Sequence, residues 1–260
     1  MPAPFGAGRA GQDGAVEART FTGTRRVRLG DVDATGRFRL DALARYLQDV
    51  ATDDVDDANV AGTPDDHTWV LRRLAVTVHR WPQFRDAIEL VTWCAATAGS
   101  AAERRTTLTV EGEVVIESDA LWVFVGPDGR PARLGPEFLA RYSPDTPRRR
   151  LSTRLRHELA PPDAIRTSWP LRAVDLDVLG HVNNAVHWAA VEEALQHRDG
   201  GIEGGVEGGW MVELEYRAPL EAVDEPDLAV VRTPDGFACW LECVGVTRAS
   251  AVAAVRPRLA

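Results

Sequence analysis

The sequence predicts an α+β protein made of two tandem units, each a long helix wrapped by an antiparallel β-sheet. Three observations carry that prediction: an ungapped internal repeat, a long amphipathic run after each copy, and a switch to period-two patterning after each run. Arg28, Asp31, Asp33 and Gly36 recur as Arg172, Asp175, Asp177 and Gly180. The offset is constant, since 172 − 28, 175 − 31, 177 − 33 and 180 − 36 all give 144.

Residues 1–20 are rich in Gly and Ala and read as a disordered tail before a first unit at 21–142. In Leu40–Ala58, the residues Leu40, Leu43, Leu47 and Val50 recur at three- and four-residue steps, which gives a helix one apolar face. Alternating strands follow at 74–78, 88–96, 104–110 and 114–125, with a Pro-Asp-Gly turn at 127–129 suited to a hairpin. A Pro- and Arg-rich stretch at 143–168 reads as a linker, and the second unit occupies 169–260.

In that unit the helix is expected over 185–198, with Val186, Ala189, Ala190, Ala194 and Leu195 inward and Glu192, Glu193 and Gln196 away from that face. Asn183 or Asn184 suits its N-cap, because a short side-chain oxygen accepts an orphan backbone N–H. Strands are expected at 210–216, 227–233, 237–244 and 246–256, and a second Pro-Asp-Gly sits at 234–236. Two such units can join their sheets edge to edge and so cover strand edges that invite aggregation.

Composition narrows the function. The chain has 260 residues, 45% hydrophobic and 27% charged, within the ordinary globular range. No run approaches the ~20 apolar residues of a membrane span, and the first residues lack a secretory apolar block. A cytoplasmic protein is expected. The net charge of −9 argues against generic nucleic-acid binding. Every basic residue is arginine, and the densest run, Arg148, Arg149, Arg150, Arg154 and Arg156, reads as a solvated linker rather than a docking patch for an acidic carrier. Cys239 and Cys243 lie four residues apart on one expected strand, about 13 Å, too far for a disulfide. With Cys94 they read as free thiols. No ligand spacing suggests a metal, and no cofactor is expected. The eight tryptophans read as core.

The chemistry-bearing residues follow the second copy of the repeat: Asp177, Gly180, His181, Asn183 and Asn184. A carboxylate just before a helix can act as base or nucleophile, and the N–H groups of the helix's first turn can hold a developing oxyanion. Gly180 permits a sharp turn, and His181 can orient water or polarise a carbonyl. The plainer reading makes the aspartates turn residues and the asparagines caps. Capping is the favoured role for Asn183 and Asn184, with support of the active site as the second. In the first copy Arg37 and Phe38 replace the histidine and valine, so that half reads as non-catalytic.

The segment from Arg172 to Asn184, with its Asp-x-Asp-x-x-Gly-His-Val-Asn-Asn pattern, resembles the acyl-acyl-carrier-protein (acyl-ACP) thioesterase family. The resemblance extends to Glu193, and Leu214-Glu215-Tyr216-Arg217 is similar to a strand motif of the plant enzymes. It implies a double hot-dog fold and hydrolysis of a fatty acyl thioester on acyl carrier protein or coenzyme A. It also implies Asp177 and His181 as the catalytic pair, with Gly180, Asn183 and Asn184 as supporting residues. This chain departs from the plant pattern at Leu179, where they carry asparagine, and at Pro219 and Leu220, where they carry glutamate and cysteine. Two alternatives stay open: a hot-dog hydratase or dehydratase, whose usual Asn-Pro step is absent from this segment, and a non-hydrolytic acyl-thioester sensor. Homodimerisation, acyl chain length and the choice of carrier stay open too.

Overall fold

The computed structural model describes residues 19–59, 66–142, 151–178, 180–196 and 209–255. The amphipathic run forms α1 (Leu40–Ala58) with Leu40, Leu43, Leu47 and Val50 all buried. Around it lie β1 (Thr20–Arg26), β2 (Thr68–Val78), β3 (Ala87–Ala98), β4 (Ala101–Val110) and β5 (Glu113–Val125), followed by a short helix α2 (Pro136–Tyr142). The second half repeats the plan with β6 (Ile165–Ser168), α3 (Asn184–Gln196), β7 (Trp210–Tyr216), β8 (Asp227–Thr233), β9 (Gly236–Cys243) and β10 (Val246–Val255).

All ten strands form one antiparallel sheet in the order β1-β3-β4-β5-β2-β7-β10-β9-β8-β6. Replacing each strand of the first half by its counterpart in the second reverses that order onto itself. The sheet is therefore palindromic about the β2–β7 seam, where Leu74 faces Leu214, Arg73 faces Glu215 and Val78 faces Trp210. A single hydrophobic core runs across the seam and holds Leu43, Leu47, Trp188, Val191, Leu74 and Leu214 together. Trp188 on α3 is fully buried in this core, and α3 packs against α1. Two of the hairpins in the sheet, β4–β5 and β9–β10, are closed by tight two-residue loops. Glu111-Gly112 and Val244-Gly245 both have positive φ at each position, the geometry that matches the twist of paired strands.

Several expectations need correction. β6 lies inside the stretch read as linker and pairs with β8, because it supplies the outer strand of the second half. The described part of the linker has exposed arginines at 154 and 156, yet its backbone is strapped to the sheet. The buried Glu215 carboxylate accepts the N–H groups of Arg156 (2.7 Å) and His157 (3.1 Å), and Trp240 Nε1 donates to Glu158 O at 2.8 Å. The first Pro-Asp-Gly closes no hairpin between strands: the chain returns beside β5 only through an isolated Val125–Pro131 bridge. Glu192 does not face away but is buried against α1. The helix α2 carried no periodic signal long enough to read. Arg19 and Thr20 are ordered parts of the fold, Arg19 through ion pairs to Asp54 and Asp57. Residues 1–18, Arg148 to Arg150, Leu179, His197 and Arg198 lie outside the described residues. The three cysteines are free, as expected, and all are buried.

The β8–β9 hairpin yields a test. A Cβ at Gly236 would stand 1.9 Å from Ala253 O on β10, a backbone atom that cannot swing aside. Gly236→Ala is expected to lower unfolding stability by about 1–3 kcal/mol, the usual range for overpacking, read as a reduced urea midpoint at unchanged slope.

Candidate active site

Each copy of the repeat folds into the same hydrogen-bonded loop. Asp175 accepts the backbone N–H of Arg172 at 2.8 Å, as Asp31 accepts that of Arg28 at 2.8 Å. Asp177 N donates to His181 O (2.8 Å) and Gly180 N to Asp177 O (3.0 Å); in the first copy Asp33 N donates to Arg37 O (2.9 Å) and Gly36 N to Asp33 O (3.0 Å). Gly180 and Gly36 take φ of +77° and +87°, a left-handed conformation that strains any residue with a Cβ. The shared Asp and Gly are thus first of all the residues that this loop requires.

The loop delivers the chain to the N-terminus of α3. Asp177 is half-buried, and one carboxylate oxygen accepts the N–H of His181 at 3.2 Å; the His181 side chain is exposed. Asn183 is the cap: its Oδ1 accepts Ala185 N at 2.9 Å. Asn184, the first residue of α3, lines a small apolar gap together with Tyr216, Gln48 and Trp122. Past Gln48, Ala51, Arg104 and Trp122, a cavity of about 250 Å³ opens in the N-terminal half, walled by Trp69, Phe138, Val55 and Ala102. Sequence placed Asp177, Gly180, His181 and Asn183 on one turn, and the structure keeps them there. It adds Asn184 as cavity wall.

Three buried residues missed by the motif hold this turn in place. His187 Nδ1 donates to Asn183 O at 3.3 Å, Tyr216 Oη donates to Asn184 O at 3.2 Å, and Trp188 Nε1 donates to Tyr216 Oη at 3.0 Å. Burial depresses the His187 pKa to about 4 and raises that of Tyr216, so both are neutral at physiological pH. The only sequence signal for His187 was its place on the inward face of α3.

In the first copy the same space is filled by the protein itself. Arg37 sits between Asp33 (2.9 Å) and Glu192, and stacks on Trp81 at 4.6 Å. Glu192 Oε2 accepts Leu40 N, the first N–H of α1, at 2.9 Å. Burial alone would raise the Asp33 pKa, but hydrogen bonds from Thr35 and the Arg37 charge outweigh it and hold the carboxyl below its usual range.

Other groups with chemical potential are engaged elsewhere. Burial pushes the Cys94 thiol up to about 11 and the Cys239 thiol up to about 12, which leaves both as inert thiols. His157, Glu213 and Glu215 converge on the outer side of the seam from distant parts of the sequence. Their contacts to Ser250, Arg73 and the strap account for them as a structural clamp.

The N-terminal domain model of acyl-ACP thioesterases matches residues 18–142. An uncharacterised protein of Mycobacterium tuberculosis is 30% identical over 200 residues, covering 76% of each chain. The chain belongs to the acyl-ACP thioesterase family. Its chemistry is that of a thioester hydrolase. A chloroplast acyl-[acyl-carrier-protein] hydrolase of Cuphea viscosissima is 29% identical over 203 residues, which cover 70% of this thioesterase and 48% of the plant chain. The fold matches a 12:0-ACP thioesterase from Umbellularia californica with TM-score 0.75 at 21% identity, covering 92% of this chain and 98% of that one. It matches a putative oleoyl thioesterase from Lactobacillus plantarum with TM-score 0.77 at 17% identity, covering 94% and 99%. The fold is the double hot-dog of that family. Among the described residues no helix is long and apolar enough to cross a membrane.

Buried His187 is expected to make this thioesterase acid-sensitive. The unfolded chain takes up a proton near pH 6.5 and the folded chain only near pH 4, so the unfolded state binds more protons between them. Stability tied to neutral His187 is full above pH 6.5 and is lost as pH falls towards 4, by about 3 kcal/mol in all. His187→Gln is expected to flatten the fall in Tm between pH 6.5 and 4 relative to the unmodified protein. Parallel profiles would show that His187 is not the group responsible.

Proposed function

We propose that this thioesterase releases a fatty acid from acyl-ACP or acyl-coenzyme A at one site, built from Asp177, His181 and the N-terminus of α3. The observation that carries the proposal is the asymmetry of the two loops. Both keep the aspartate and the turn, yet in the first an arginine and a glutamate occupy the space, while the second opens onto an apolar gap and a cavity.

In this reading the acyl chain passes Asn184 and Gln48 into the cavity of the N-terminal half, whose tryptophan and phenylalanine walls suit a hydrocarbon. Asp177 removes a proton from water as the water oxygen attacks the thioester carbon. The carbonyl oxygen becomes an oxyanion facing the first-turn N–H groups of α3, where the helix dipole favours negative charge. Collapse of the intermediate breaks the carbon–sulfur bond, and the thiolate takes the proton from Asp177. His181, exposed at the mouth, orients the water or the incoming carrier thioester. Gly180 and Asn183 set the turn and the cap. The N-terminal half (21–142) supplies sheet and acyl cavity and performs no chemistry, whereas 169–260 carries the reacting groups.

The test is steady-state hydrolysis of a long-chain acyl thioester, offered on both carriers, with released acids identified by mass spectrometry. Asp177→Asn is expected to lower kcat by about 10²–10⁴-fold with a modest change in KM. Asp33→Asn, judged on protein shown to be folded by circular dichroism, is expected to keep most activity. Equal losses in the two variants would refute the single-site reading, as would full turnover by Asp177→Asn.

A further inference from the structure

We infer that Gln48, from the N-terminal half, is a third catalytic residue: its carboxamide N–H joins the N–H of Asn184 in binding the thioester oxyanion. The inference rests on the Asp177 reading and adds to it a donor from the other half of the molecule.

The two halves place a side chain from one helix against the N-terminus of the other. Glu192 on α3 reaches the first N–H of α1, that of Leu40. The repeat offset transfers that contact directly: 192 − 144 is 48, and 40 + 144 is 184. Gln48 on α1 is thus the counterpart of Glu192, and Asn184 N–H the counterpart of Leu40 N–H. Gln48 and Asn184 do line the same small gap, and Gln48 also borders the larger cavity beyond it. It stands where an acyl chain would pass from the reacting carbon into the cavity.

The chemical difference between the two residues matters. A carboxylate only accepts hydrogen bonds, so Glu192 takes the helix N–H for itself and, with Arg37, closes its half. A carboxamide also donates. Gln48 can leave the Asn184 N–H to the substrate and direct its own Nε2–H at the same oxygen. Its side chain makes no hydrogen bond to the described residues; its recorded bond is the backbone carbonyl accepting Thr52 Oγ1 at 3.0 Å. A half-buried amide without a protein partner beside an orphan helix N–H fits a two-donor oxyanion site.

Two variants test this in the same acyl-thioester assay, with Asp177→Asn as reference and circular dichroism as a check of folding. Gln48→Ala removes the donor, and kcat is expected to fall by about 10²–10³-fold with KM changed only a few-fold. Gln48→Glu keeps size but installs an acceptor that competes for Asn184 N–H, and is expected to lose at least as much kcat at pH 8. If Asp177→Asn is inactive while folded Gln48→Ala turns over within threefold of the unmodified enzyme, the Gln48 inference fails alone. A change confined to KM would also overturn it, because that is the signature of a cavity wall. If Gln48→Ala does not fold, Gln48→Glu decides by the same kcat criterion. Full activity of Asp177→Asn would instead remove the reading on which the inference rests.

Discussion

The pairing of β2 with β7 is the contact on which the rest of the molecule depends. Neither half has enough sheet to cover its helix and leave no open edge at the join. Once Leu74 lies opposite Leu214, the ten strands become continuous and both helices share one core. The same seam sets the helices so that each N-terminus meets the middle of the other. Contacts such as Glu192 to Leu40 N follow from that symmetry and not from any local sequence rule. The strap over the outer face reinforces the seam at the very strand that makes it, because Glu215 on β7 binds the backbone of residues 156 and 157.

Duplication gave this fold two equivalent loops, and electrostatics separates them. In the first, a half-buried aspartate and a buried glutamate are neutralised by one arginine, and the first N–H of α1 is taken by the glutamate. Such a network is stable only when complete: removing one charge would leave its partners buried and unpaired. In the second, the arginine's place is taken by His181 on the exposed side, and the glutamate's by Gln48, an uncharged group. Among the described residues, no buried charged side chain hydrogen-bonds the first N–H of α3. One half is closed by its own ion pair, while in the other a small apolar gap remains beside Asn184.

Much of this was legible in the sequence because the repeat and the period-two runs are local signals. The bounds of α1, β7 and β8 coincide with the patterned segments. The candidate catalytic loop was legible for the same reason: Asp177, Gly180, His181 and Asn183 lie within seven consecutive positions and are joined by one turn. Where pattern is short or misleading, reading failed. β6 has four exposed residues in a Pro-rich context and carries no alternation of burial, so it was absorbed into the linker. Glu192 looked like a surface residue because charge on a helix usually marks its solvent face. Nothing nearby in sequence announces the Arg37 that neutralises it, 155 positions away.

The sequence by itself determined the two units, their helices and strands, the thiol state and the loop that carries Asp177 and His181. Hydrophobic periodicity, turn chemistry and motif spacing act over a few residues and need no partner to be read. Tertiary structure alone decided which loop is closed by an ion pair, what walls the cavity of the N-terminal half, and which side chain reaches the N-terminus of α1. Those outcomes depend on the meeting of α1 and α3 across the seam, and on burial that shifts His187 and satisfies or frees a single N–H. A contact between residues so far apart in the chain costs conformational entropy that only the cooperative core of the whole fold offsets. The same loop sequence is therefore a closed structural element in one half and a candidate catalytic one in the other.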